Sequence, residues 1–90
     1  MSKTVVVNRH HEKFDVYIGR GTAFGNKFEI GRDGTREECI EKFRVLFNKK
    51  IKNERFLRQV RSLKGKRLGC SCKPQACHGD VIVEFLEGEL

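Results

Sequence analysis

Apolar residues recur along this chain with two periods, and the changes between them mark its elements. "KTVVVNR" holds the β-branched run Val5, Val6 and Val7 and predicts a short first strand. In "KFDVYIGR", Phe14, Val16 and Ile18 alternate with Asp15, Tyr17 and Gly19, the period of a half-buried second strand. "HHEK" forms the connection between them. Periodicity then lapses: five glycines between Gly19 and Gly34 predict a long, specific loop, pinned by Phe24, Phe28 and Ile30.

Helical spacing begins after that loop. Thr35 and Glu38 stand at capping-box spacing, and Glu37 and Glu38 suit the positive end of a helix dipole. Cys39, Ile40, Phe43, Leu46, Phe47 and Ile51 follow on one face, which makes Cys39 a core residue rather than a metal ligand. Asn53 is placed to cap a second helix carrying Phe56, Leu57, Val60 and Leu63, with Gly65 at its end. "KRLGCSC" reads as a third strand and "GDVIVEFLEGE" as a last helix. The expected fold is α/β, a single domain over residues 1–90. It is a small sandwich of about three helices on a short sheet, in the order β-β-α-α-β-α.

Ninety residues with 38% apolar and 34% charged positions build one small core. No apolar run is long enough to span a membrane, and the start of the chain has no signal-peptide pattern. The expected location is therefore cytoplasmic, where clustered cysteines serve as metal ligands or reactive thiols more often than as disulfides. Charge is uneven. Lys42 to Arg67 holds eleven Lys or Arg against one acid, Glu54, whereas Asp80 to Leu90 holds four acids and no Lys or Arg. The basic stretch suits phosphate backbones, or an acidic partner protein. Arg55, Arg58 and Arg61 recur every three residues beside the apolar stripe of the second helix and form its candidate nucleic-acid or partner face.

The densest chemistry is "RLGCSCKPQACHGD", with three of the four cysteines, one of the three histidines and the only proline. Three readings stand side by side. Cys70 and Cys72 leave one face of a strand end, and with Cys77 and His78 they compose a Cys₃His set suited to tetrahedral zinc. Alternatively Cys77, at the start of the last helix, is a reactive thiol with His78 as its base. In the third, the cysteines are small apolar packing residues.

"YIGRGTAFGNKF" offers Gly19, Gly21 and Gly25 for close backbone approach, Arg20 as a forked donor, and Asn26 as a left-handed or recognition residue. Its spacing matches neither the dinucleotide fingerprint nor a P-loop. If the second and third strands run parallel, this loop and the Cys/His loop share one sheet edge.

These two stretches, with "DGTREECIEKFRVLF" between them, make the chain resemble the family called domain of unknown function 4326, met in phages and bacteria. The resemblance runs from about Val5 to Leu86, and "GKRLGCSCKPQACHGDVI" is its most specific part. It departs at Lys27, where the family often has proline, and at Ser71, where an aromatic is common. The resemblance points to Gly19, Arg20, Gly25, Asn26, Arg36, Cys70, Cys72, Cys77, His78, Gly79 and Asp80 as a shared site; it implies a compact α/β unit and a phage origin, and no reaction. The functional expectation is a Cys/His site, with zinc, in a protein that binds nucleotide or nucleic-acid phosphates through Gly19, Arg20, Gly21, Gly25, Asn26 and Arg36. Its alternatives are a non-enzymatic phage effector docking on a host protein, and a thiol- or metal-dependent nucleotide-processing enzyme with Cys77 and His78 as catalytic candidates.

Overall fold

The computed structural model describes residues 3–88, and its elements follow the expected order. They are β1 (Val5–Asn8), β2 (Val16–Tyr17), α1 (Arg36–Lys50), α2 (Glu54–Arg61), β3 (Arg67–Cys70) and α3 (Gly79–Gly88). The three strands form one sheet in the order β1-β3-β2, with both pairings parallel. The late strand β3 thus lies in the middle, and its Leu68, Gly69 and Cys70 are all buried, as a central parallel strand requires.

Register decides which face each residue serves. Val6 and Val16 both pair with Leu68, so these three side chains share a face with Ile18 and Cys70. That face meets the helices: Ile18, Leu68 and Cys70 belong to one buried cluster with Phe43 and Phe47 of α1, Val60 of α2, and Val81, Ile82 and Leu86 of α3. Gly69 points the other way, where a Cβ would lie 2.7 Å from the Phe14 ring. Phe14 therefore departs from the alternation that groups it with Val16 and Ile18. Strand β2 begins only at Val16, and Phe14 lies across Gly69 on the opposite face, 40% exposed.

Local signals account for the helix ends. The Thr35 hydroxyl accepts from the Glu38 amide while the Glu38 carboxylate accepts from the Thr35 amide, closing the capping box. Asn53 accepts from the Phe56 amide and starts α2. Gly65, at φ +80°, turns the chain in the left-handed region toward β3. Gly79 lets α3 press onto the sheet, since a Cβ there would stand 2.7 Å from Ile18 Cδ1 and 2.9 Å from Val6 Cγ2. Among the described residues no helix is long and apolar enough to cross a membrane.

Candidate functional site

Because β2 and β3 run parallel, the segments that leave them emerge at the same edge. The Ile18 amide still donates to the Gly69 carbonyl, and beyond that bond the two chains separate into the glycine loop and the Cys/His loop. A cavity of about 420 Å³ opens between them. The first turn of α1 adds Arg36, Cys39 and Ile40 to its wall, and the approach to α3 adds Cys77 and His78. Tyr17, Phe28, Ile30 and Ile40 supply apolar surface; Arg20, Arg36 and Glu29 supply charge.

The glycine loop is built by close approach. A Cβ on Gly25 would lie 2.5 Å from the Gly19 carbonyl oxygen, so only glycine lets the loop fold back on itself. Thr22 secures the fold by donating its hydroxyl to that carbonyl at 2.7 Å. Asn26 accepts from the Phe28 amide at 3.0 Å and donates to the Cys39 carbonyl at 3.3 Å, tying the loop to α1. Its backbone is not left-handed: no non-glycine described residue has positive φ, and the left-handed positions fall to glycines such as Gly21, at φ +88°. Arg20 reaches Glu29 at 3.4 Å, and Arg32 holds the same carboxylate at 3.1 Å.

The Cys/His loop is clasped from three sides. Arg36 donates to the Ala76 carbonyl at 3.0 Å and to Gln75 Oε1 at 2.7 Å. Asn8 donates to the Lys73 carbonyl at 2.7 Å, and Lys73 meets Asp80 at 2.6 Å. The other Asp80 oxygen accepts from the Cys77 amide at 3.0 Å, which fixes Cys77 at the entry to α3. Lys73–Pro74 is a cis peptide.

Cys70 and Cys77 both line the cavity, and their sulfurs lie 3.3 Å apart, both residues buried. They titrate as a pair. The hydrogen bond between the two sulfurs, joined by the amides of Cys72 and Lys73, lowers the Cys70 pKa below the ordinary thiol value. Cys77 is pushed up by the same hydrogen bond and by burial, against a 3.3 Å contact from the Gly79 amide. The shifts run opposite to the residue order, which pointed to Cys77 at the helix start: the lowered thiol is Cys70.

Cys72 does not share a strand face with Cys70. β3 ends at Cys70, and Cys72 lies in the bend beyond it, where its amide rather than its sulfur serves Cys70. His78 is turned toward the sheet: Nε2 donates to the Ile18 carbonyl at 2.7 Å, and the ring meets Phe43 edge-on. Among the described residues no group of three or more His, Cys, Asp or Glu is disposed to hold a metal ion. The Cys70, Cys72, Cys77 and His78 side chains therefore do not converge as a ligand set in this structure. Nε2 is thus committed to the Ile18 carbonyl.

Burial lowers the His78 pKa, outweighing the carbonyl of Ile18 and the charges of Cys70 and Asp80. The unfolded chain then takes up this proton first, so the stability gained by a neutral His78 is complete above its ordinary value of 6.5 and is lost as pH falls below it. His78→Gln keeps an amide donor but does not titrate. In urea titrations from pH 7 to 5, stability should fall less steeply in His78→Gln than in wild type; equal slopes would remove His78 as the cause.

Of the sequence-predicted residues, the cavity brings together Gly19, Arg20, Asn26, Arg36, Cys70, Cys72, Cys77 and His78. Gly21 and Gly25 shape the loop without lining it, and Arg55, Arg58 and Arg61 lie apart on α2, where Arg58 faces Glu54 at 3.8 Å. Tyr17 and Ile40 also line the cavity, unforeseen because alternation and helical spacing read as ordinary packing, and Phe28 and Glu29 join them from the glycine loop, where no periodicity marks them. Cys39 is buried as expected, yet it too borders the cavity.

Comparison with known proteins gives two matches. The family described as domain of unknown function (DUF4326) matches residues 5–88. An uncharacterised 12.4 kDa protein in the nrdA-td intergenic region of Enterobacteria phage T4 is 45% identical over 83 residues, covering 90% of this chain and 75% of its own length. No solved structure matches.

Proposed function

The chain belongs to the domain of unknown function family DUF4326, whose description assigns no reaction, and on the geometry of the cavity we propose that it binds a nucleoside phosphate. The observation that carries this reading is the meeting of Arg20 and Arg36 in one cavity of about 420 Å³ at the carboxyl edge of a parallel sheet. Ligands of open α/β sheets collect at that edge, and small-molecule sites run from roughly 300 to 1,000 Å³. The N-terminal turn of α1 adds its dipole to the two guanidinium groups. Tyr17, Phe28, Ile30 and Ile40 offer apolar and aromatic surface for a base.

A mononucleotide suits the site better than a polynucleotide track. The Arg55, Arg58 and Arg61 row lies on α2 and does not continue into the cavity. Phosphate recognition here requires a local switch, because Arg20 is paired with Glu29 in the ligand-free protein.

Calorimetric titration with nucleoside mono-, di- and triphosphates, the free nucleoside and inorganic pyrophosphate tests the reading. Phosphorylated nucleosides should bind, and Arg20→Ala should weaken them roughly tenfold, at the low end of a charged hydrogen bond's worth. Glu29→Gln removes the competing carboxylate and should tighten binding by a few-fold, with a weaker salt response in Arg20→Ala than in wild type. Equal heats for nucleoside and nucleotide, or affinity indifferent to Arg20, would end the proposal.

A further inference from the structure

We infer that Cys70 and Cys77 form a reversible dithiol–disulfide couple, oxidised by hydroperoxides entering the cavity. This reading is independent of what else the cavity binds. Their sulfurs already lie 3.3 Å apart, and a disulfide requires about 2.05 Å. The two cysteines end different elements: Cys70 closes β3, and Cys77 stands at the entry to α3. The loop between them is tethered by Asn8, Arg36 and the Lys73–Asp80 pair, so the sulfurs are held together by the fold rather than by chance approach.

Access and selectivity follow from the same geometry. Both residues line the cavity and each is almost wholly buried, a setting that favours a small oxidant over a protein thiol. Cys39 instead places its sulfur 3.7 Å from the Gly34 carbonyl. Core packing does not require two cysteine sulfurs in contact beside a cavity.

The chemistry balances with hydrogen peroxide as the oxidant. The Cys70 thiolate, hydrogen-bonded by the Cys72 and Lys73 amides, attacks one peroxide oxygen. The S–O bond forms as the O–O bond breaks, and the departing hydroxide takes up a proton to become water. Cys77 sulfur then attacks Cys70 sulfur. The S–O bond breaks, the S–S bond forms, and the hydroxide leaves as water with the Cys77 thiol proton. Two electrons pass from the sulfurs to the peroxide, and a dithiol reductant returns them.

Peroxide titration of the wild-type protein, followed by thiol counting and peptide mapping, tests the assignment. Two of the four thiols should disappear with a mass loss of about 2 Da, in a cross-link joining the Cys70 and Cys77 peptides, and dithiothreitol should restore both. Cys72→Ser and Cys39→Ser should retain the cross-link, and Cys77→Ser should stop at a sulfenic acid on Cys70 that dimedone captures. A cross-link through Cys72 or Cys39, stable oxygen adducts without a cross-link, or four unreacted thiols would overturn it. Mapping the wild type decides the matter even if a variant fails to fold.

Discussion

Phe47→Ala should destabilise the protein by about 3–5 kcal/mol, the range for deleting a buried aromatic ring from a close-packed core. The side chain is 2% exposed and stands where the three helices meet. Its ring stacks on Phe43 of its own helix at 5.8 Å, meets Phe56 of α2 edge-on at 6.1 Å, and meets Phe85 of α3 at 5.6 Å. The residues around such a hole belong to three separately tethered elements and close it only in part. Urea unfolding followed by circular dichroism should show the midpoint lower by roughly 2 M at an unchanged slope. Val45→Ala is the control: it lies on the same helix but is 50% exposed, and it should change stability by no more than about 0.5 kcal/mol. Alanine favours the helix more than either residue it replaces, so equal losses in the two variants would show that the junction is not the source of the effect.

That junction was legible in the sequence because helix packing is written in local spacing. Cys39, Phe43 and Phe47 recur at intervals of four, and Thr35 and Asn53 announce their helices with the side chains that then cap them. Strand order was not legible. β3 enters between β1 and β2, and the only local trace of its central place is Gly69, whose missing side chain makes room for Phe14. Phe14 itself misled, since an alternating pattern identifies a strand's faces but not the residue at which pairing begins.

The site divides in the same way. Parallel pairing of β2 and β3 brings the Arg20 and Cys/His loops to one cavity, as a shared sheet edge requires. What the sequence could not show is how each polar atom is already spent. Asn26 and His78 are of types that bind ligands, yet each bonds to a backbone carbonyl more than ten residues away, Cys39 and Ile18 respectively. Likewise, Cys70 and Cys72 read as neighbours on a strand face only while the strand is assumed to continue; it stops at Cys70, and the partner sulfur comes from Cys77 across the turn.

Arg36 carries the second large effect. Its guanidinium holds two acceptors on the Cys/His loop, the Ala76 carbonyl and Gln75 Oε1, while it lines the cavity. Arginine has five N–H donors, so these bonds leave capacity for a phosphate at the same fork. Arg36→Ala should therefore weaken a nucleoside diphosphate by roughly 10- to 150-fold, the equivalent of about 1.5–3 kcal/mol for hydrogen bonds to a charged group. Lysine keeps the charge but not the fork, and Arg36→Lys should recover little of that loss, because one ammonium cannot hold both loop acceptors and the ligand. At Arg20, whose partner is a single carboxylate at 3.4 Å, lysine should recover most of it. The loop supplies a readout apart from affinity: released from Arg36, Cys72 should react with iodoacetamide several-fold faster than in wild type. Full rescue by Arg36→Lys, or unchanged Cys72 reactivity in Arg36→Ala, would show that Arg36 supplies charge alone and that the loop is held from the Asn8 and Asp80 side.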